Sequence, residues 1–221
     1  THIQKQLTEQ ADAIVQKLDD AIADGAIDGT GTMTDGTYDM IILCLHQRIA
    51  IQMVQEALPK IPAGTILVDT CGLKGRMVRD LTYRCRKADV RYVGTHPMAG
   101  REKNGYYASI PNLFQNANLI VTPVDGTDEA ALDTVKELAD QMGFGKIVTA
   151  TPMWHDNMIA YTSQLAHVVS SSYVKDFCMD DALSFSGGSF QDMTRVATMD
   201  ESMWAALFLD NRDNLLYHLD L

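Results

Sequence analysis

His96 lies in the stretch Gly94-Thr95-His96-Pro97-Met98-Ala99-Gly100, just past Val90-Arg91-Tyr92-Val93, a run that reads as a β-strand. An imidazole titrates near neutrality, so at a strand's carboxyl end, among small residues, it can take a proton from a substrate hydroxyl. A histidine that only hydrogen-bonds to its own turn fits the position equally. His155-Asp156, Ser163 and His167 form a second set, with spacings of eight and four that put three of them on nearly one helical face. Such a face could line a cleft; a helix start followed by packed polar residues is the plainer reading. Gly187-Gly188-Ser189-Phe190-Gln191-Asp192-Met193-Thr194-Arg195 is the third set. Its glycines permit a tight turn into a helix, and Arg195 about one turn in could clasp a carboxylate with two parallel hydrogen bonds. A surface arginine paired with Asp192 fits as well.

Two other chemistries are disfavoured. Gly29-Thr30-Gly31-Thr32-Met33-Thr34 starts like a GxGxxG phosphate loop, but it lacks the third glycine and follows a helix instead of a strand. It reads as a connector. No HxxxH or HExxH spacing joins His96, His155 and His167, so no metal site is expected.

The elements that must position these residues change character along the chain. Apolar residues at steps of three and four mark a helix over 2–24, with Gly25 as its stop. Met40 to Leu45 reads as a strand buried on both faces, with Cys44 as a small buried hydrophobe. Helices over 49–58, 77–88 and 128–142 then alternate with strands over 65–68, 90–93, 118–122 and 146–149; Thr127 is the expected N-cap of the last helix. This alternation predicts an α/β fold with a doubly wound, mainly parallel, Rossmann-like sheet. Ligands then belong at the carboxyl ends of the strands. After Thr151-Pro152 only helices are expected, over 155–177, 190–200 and 201–219. A domain boundary therefore falls near 151, giving units 1–151 and 152–221.

Composition narrows the partners. The net charge of −11 argues against a nucleic-acid surface, which needs clustered cations. No apolar run approaches the roughly 18–20 residues of a membrane span. The first residues lack the apolar core of a secretory signal, and no cysteine pair has CxxC spacing. A reduced, cytoplasmic setting is expected. The thin helical segment is expected to pack against a partner copy.

Taken together, the motifs resemble a known family. Gly94 to Gly105 looks like the GxHPMxGxExxG segment of the prephenate and arogenate dehydrogenases of tyrosine biosynthesis. Asp69-Thr70-Cys71-Gly72-Leu73-Lys74-Gly75 is similar to their DxxSxKG segment. His155-Asp156 through Ser163-Gln164-Leu165-Ala166-His167 is similar to HD…SHLPH, and Gly187 to Ala197 to GGxFRDxTRIA. Met203-Trp204 and Asn211-Arg212 echo the family's MW…NR helix.

The resemblance implies NAD- or NADP-dependent oxidative decarboxylation of prephenate or arogenate, giving 4-hydroxyphenylpyruvate or tyrosine. His96 would be the catalytic base. Thr95, Ser163, His167, Gly188 and Arg195 would hold substrate, with Arg195 on a carboxylate. Leu45, His46, Thr70, Gly72 and Lys74 would contact the cofactor, and the helical unit would form a homodimer. The sequence departs from the pattern at Gly72, where the family has a serine, at Gln164 and Ala166, which replace the His and Pro of SHLPH, and at Gln191, which replaces the Arg of FRD. The family's first strand and glycine loop are also absent, so a longer parent chain is expected. The competing readings are a binding or regulatory relative without cofactor, and a related dehydrogenase or imine reductase with another substrate.

Overall fold

In the computed structural model, which describes residues 2–36, 38–100, 105–176 and 179–221, the amphipathic N-terminal stretch forms helix α1 (His2–Ala23). Gly25, at φ +69, ends it as expected. The alternating segments become β1 (Met40–Leu43), α2 (Gln47–Ala57), β2 (Ile66–Asp69), α3 (Gly75–Lys87), β3 (Arg91–Pro97), β4 (Asn118–Val121), α4 (Glu129–Gln141) and β5 (Lys146–Thr149). The strands lie in the order β1-β2-β3-β4-β5.

Neighbouring strands run parallel except β3 and β4, which pair antiparallel with His96 opposite Ile120. A parallel pair needs a crossover, usually a helix. Between β3 and β4 the described residues contain only a short 3-10 turn (Tyr106–Ala108), so the chain returns beside the strand it left. Leu43 lies opposite Asp69, and Asp69 opposite Gly94, which aligns the carboxyl ends of β1 and β2 with the middle of β3, so Thr95 to Pro97 extend past them.

Two apolar layers hold the sheet. Ile41, Leu43 and Leu67 pack with Val54 of α2 and Met77 and Leu81 of α3 on one face. Ile66, Val68, Val93 and Val121 pack with Ala131, Val135 and Ala139 of α4 on the other. Helices on both faces make this a Rossmann-like, doubly wound domain.

Three local expectations are corrected. β1 is buried on one face only, because Ile42 on the other side is 46% exposed. The strand ends at Leu43, so Cys44 is exposed instead of buried. Asp128, not Thr127, caps α4: its carboxylate accepts from Ala131 N at 2.7 Å, while Thr127 Oγ1 accepts from Val124 N.

Beyond Thr151 the chain is helical: α5 (Pro152–Ile159), α6 (Leu165–Tyr173), α7 (Met179–Ala182), α8 (Gly188–Arg195), α9 (Glu201–Asp210) and α10 (Arg212–Asp220). Thr151 Oγ1 accepts from Trp154 N at 3.2 Å and Pro152 fills the first turn, so α5 starts earlier than the sequence pattern showed. The single helix expected over 155–177 is interrupted by a π-helical turn, Ala160–Gln164. Cys178 and residues 101–104 lie outside the described residues. No described helix is long and apolar enough to cross a membrane.

Candidate active site

β3 continues through Pro97, so His96 is a strand residue and not part of a turn. Strand geometry fixes its ring direction. Its Nδ1 lies 2.9 Å from Nε2 of His155, which is 1% exposed in the second turn of α5. His155 Nδ1 is in turn 2.7 Å from Asp156 Oδ1. The Asp156 carboxylate also accepts from the main-chain N–H groups of Lys74 at 2.7 Å and Gly75 at 2.8 Å. It therefore supplies, from another element, the acceptor that the free N–H groups starting α3 require. A Cβ on Gly75 would stand 2.9 Å from Asp156 Oδ2, so only glycine lets the carboxylate approach this closely.

Beneath His96 lies a buried ion pair. Lys74 and Asp69 are both 0% exposed, and the Lys74 ammonium bonds to Asp69 Oδ1 and to the Thr95 carbonyl. Asp69 Oδ2 accepts from Tyr92 OH at 2.7 Å, and Asp69 Oδ1 also accepts from Cys71 N at 2.9 Å. All these groups are partnered, as buried polar groups must be. The Lys74 side chain is thus directed into the protein, which corrects its expected place among the cofactor contacts. Thr95 is similar. Its hydroxyl donates to the Asp69 carbonyl at 2.6 Å and is 2% exposed, so it ties β3 to β2 and does not face a substrate.

The other four residues expected at the cofactor lie together. Leu45, His46, Thr70 and Gly72 line one hollow at the carboxyl ends of β1 and β2, closed on the far side by Met203 and Leu207 of α9. Its volume is about 440 Å3, within the range of small-molecule pockets. A Cβ on Gly72 would meet only Leu207 Cδ2, at 3.9 Å, so glycine leaves this wall open without being sterically required. Cys71 donates to the Leu45 carbonyl at 3.3 Å, and burial pushes its thiol up to about 12, so it serves as structure.

The helical residues divide their tasks. The π-helical turn contains Ser163 and Gln164. His167 stacks on Trp204, with ring centroids 3.6 Å apart, and its Nδ1 is 2.9 Å from the Ser163 carbonyl. Gln164, at the family's histidine position, is buried: it donates to the Leu207 carbonyl at 3.0 Å and accepts from Asn211 Nδ2 at 2.9 Å. Asn211 donates as well to the Asp156 carbonyl, so this network supports the His155-Asp156 turn from behind. Arg195 is exposed at the end of α8, and Gly188 lines a different hollow with Tyr173 and Phe190. His96 and Arg195 share neither hollow. Sequence reasoning missed the Asp69–Lys74 pair and the His96–His155 contact; the adjacent His and Asp at the start of the helical segment were the available signal for the second.

Burial first, then the His155 ring and the Lys74 ammonium, lower the His96 imidazole from 6.5 to about 3. Unfolded, the ring takes a proton as pH falls through about 6.5; folded, it stays neutral to about 3. It therefore contributes stability that is complete above about pH 6.5 and is lost progressively as pH falls toward 3. His96→Asn is expected to make the acid loss of Tm shallower over that window. Identical slopes for variant and parent would contradict the shift.

The family described as prephenate dehydrogenase, nucleotide-binding domain, matches residues 5–149, and the one described as prephenate dehydrogenase, dimerization domain, matches residues 151–221. This chain belongs to the prephenate dehydrogenase family. Among curated relatives, cyclohexadienyl dehydrogenase of Zymomonas mobilis is 32% identical over 190 residues, covering 82% of this chain and 63% of the relative. Prephenate dehydrogenase of Bacillus subtilis is 31% identical over 160 residues, covering 70% and 43%. This prephenate dehydrogenase family member thus spans less than two thirds of either. Among solved structures, prephenate dehydrogenase from A. aeolicus, in complex with hydroxyphenyl propionate and NAD+, superposes with a TM-score of 0.78 at 29% identity, over 92% of this chain and 73% of that one. Synechocystis arogenate dehydrogenase, at 23% identity and a TM-score of 0.75 over 93% and 75%, shares the fold.

Proposed function

We propose that the protein containing this chain is an NAD- or NADP-dependent dehydrogenase of tyrosine biosynthesis that oxidatively decarboxylates prephenate or arogenate. Residues 1–151 form its dinucleotide-binding unit and residues 152–221 its substrate and homodimerisation unit. The observation that carries this reading is the His96 imidazole, held against His155 at the sheet edge that also opens the Leu45–Gly72 hollow.

The hollow suits one end of a dinucleotide. Most of its walls are small or apolar, with His46 and Gln47 as larger polar groups, and it opens at two strand ends. Leu45, His46, Thr70 and Gly72 would hold the nicotinamide end. The nicotinamide, when bound, supplies the hydride acceptor.

The chain's own residues do the rest. As hydride leaves the hydroxyl-bearing ring carbon, the hydroxyl becomes a strong acid, so even a weakly basic imidazole can take its proton. His96, kept neutral by burial, is such an acceptor. Carbon dioxide then leaves and the ring becomes aromatic, which drives the reaction forward, so the protein contributes chiefly positioning and charge complementarity. Ser163 and His167 hold polar groups of the substrate, with Trp204 fixing the His167 ring. Arg195, on the exposed side of α8, holds a substrate carboxylate, and Gly188 lets the chain pass close to it.

The test is an assay of the full-length protein for reduced cofactor with prephenate and with arogenate. Product formation with one of them is expected; no turnover with either substrate and either cofactor would favour a binding relative. Arg195→Ala should raise KM for the substrate about tenfold or more through loss of a charge-assisted pair, with kcat little changed. An unchanged KM would remove Arg195 from the substrate site.

A further inference from the structure

We infer that His155 and Asp156 are a positioning pair: they carry a hydrogen-bond relay across the domain boundary that fixes which nitrogen of His96 is free to accept a proton. The inference rests on the reading of His96 as the base, and goes beyond it by naming the atom and the residues that select it.

The direction of the relay follows from its buried end. Asp156 Oδ1 and Oδ2 are occupied as acceptors by the Lys74 and Gly75 main-chain N–H groups. The 2.7 Å contact between Oδ1 and His155 Nδ1 therefore requires the proton on Nδ1, since two acceptors at that distance would repel. A His155 ring carrying a single proton there presents a lone pair at Nε2. That lone pair faces His96 Nδ1 at 2.9 Å, so Nδ1 of His96 must carry the proton and donate. The free lone pair of His96 is then on Nε2, the nitrogen pointing away from His155. The two rings meet edge to face, with centroids 5.1 Å apart, which holds the His96 plane as well as its tautomer.

The relay joins the two units. His96, Lys74 and Gly75 belong to the sheet domain, and His155 and Asp156 to α5. The carboxylate that sets the His155 tautomer is the same one that clamps the start of α3. Correct docking of the helical domain and a correctly protonated base are thus one event. His155 is 1% exposed, lines none of the hollows described above, and has both ring nitrogens engaged in these two contacts.

Nitrogen-proton correlation spectra of histidine-labelled protein near neutral pH test the relay without substrate. His96 is expected to show its proton on Nδ1 and a bare Nε2; a proton on Nε2 would overturn the inference. Kinetics then separate positioning from mere support. His155→Leu breaks the relay and should lower kcat about tenfold or more while KM for cofactor and substrate stays within about twofold. His155→Gln should restore most of the rate, because its amide can donate to Asp156 and accept from His96 Nδ1. Unaltered kcat in His155→Leu, or a His155→Gln variant as slow as His155→Leu, would overturn the inference. Both variants are first checked for a parental fold by circular dichroism, and the spectrum of the parent decides the tautomer even if one does not fold. Failure of His96 as the base has a different signature, since His96→Asn would then turn over normally whatever the tautomer.

Discussion

His96→Asn is expected to lower kcat by about 10²–10⁴-fold in the full-length protein, with a smaller change in KM. Asparagine retains a polar group against His155 Nε2, so the local packing and the domain contact survive. What it lacks is a ring nitrogen able to take a proton at the substrate hydroxyl. The effect therefore falls on the step in which proton and hydride part from the same carbon and oxygen. Initial rates of cofactor reduction under saturating substrate measure it. A turnover equal to the parent's would take His96 out of the chemistry. A loss confined to KM would make it a binding residue.

Lys74→Met is expected to destabilise the fold by about 3–5 kcal/mol, the cost of leaving one member of a buried ion pair alone. The Asp69 carboxylate is fully buried, and the Lys74 ammonium is the one cation bonded to it among the described residues. Methionine fills similar space but leaves that charge with two neutral donors among the described residues, the Tyr92 hydroxyl and the Cys71 N–H. It also strips the Thr95 carbonyl of its ammonium donor. Adding Asp69→Asn to Lys74→Met removes the stranded charge and should recover part of the loss. Urea unfolding of the single and double variants gives the comparison. A cost under about 1 kcal/mol for Lys74→Met, or a double variant less stable than the single, would mean the pair does not behave as a buried one.

What could be read from the sequence was what is local or periodic. The switch from alternating strands and helices to helices alone needs only apolar spacing and stop residues such as Gly25, or Gly143 just past the helix over 128–142. Both adopt positive φ where those helices end. The motif segments placed Leu45, His46, Thr70 and Gly72 at strand ends because a parallel sheet forces loops to that edge. The residues misread were those whose partners are distant in sequence. Lys74 sits in a motif loop, but its Thr95 partner lies on the next strand, 21 residues on. Thr95 looked open for the same reason. His96 and His155 are 59 residues apart, and only the docking of α5 brings them together. The single helix drawn through His155, Ser163 and His167 assumed an unbroken α-helical repeat. The π-helical turn at Ala160–Gln164 has no compositional signature. Cys44 looked buried because the apolar run continues to Leu45, whereas pairing with β2 stops at Leu43.

The central claim is that one cleft at the carboxyl edge of β1–β3 holds a nicotinamide and a hydroxylated ring side by side. A crystal structure of the full-length protein with NAD+ and a hydroxyphenyl acid tests it most directly. The account predicts the nicotinamide against Leu45, Thr70 and Gly72, the ring hydroxyl within hydrogen-bond reach of His96 Nε2, and the acid group on Arg195. A ring bound away from His96, or a cofactor lodged outside the Leu45–Gly72 hollow, would contradict it.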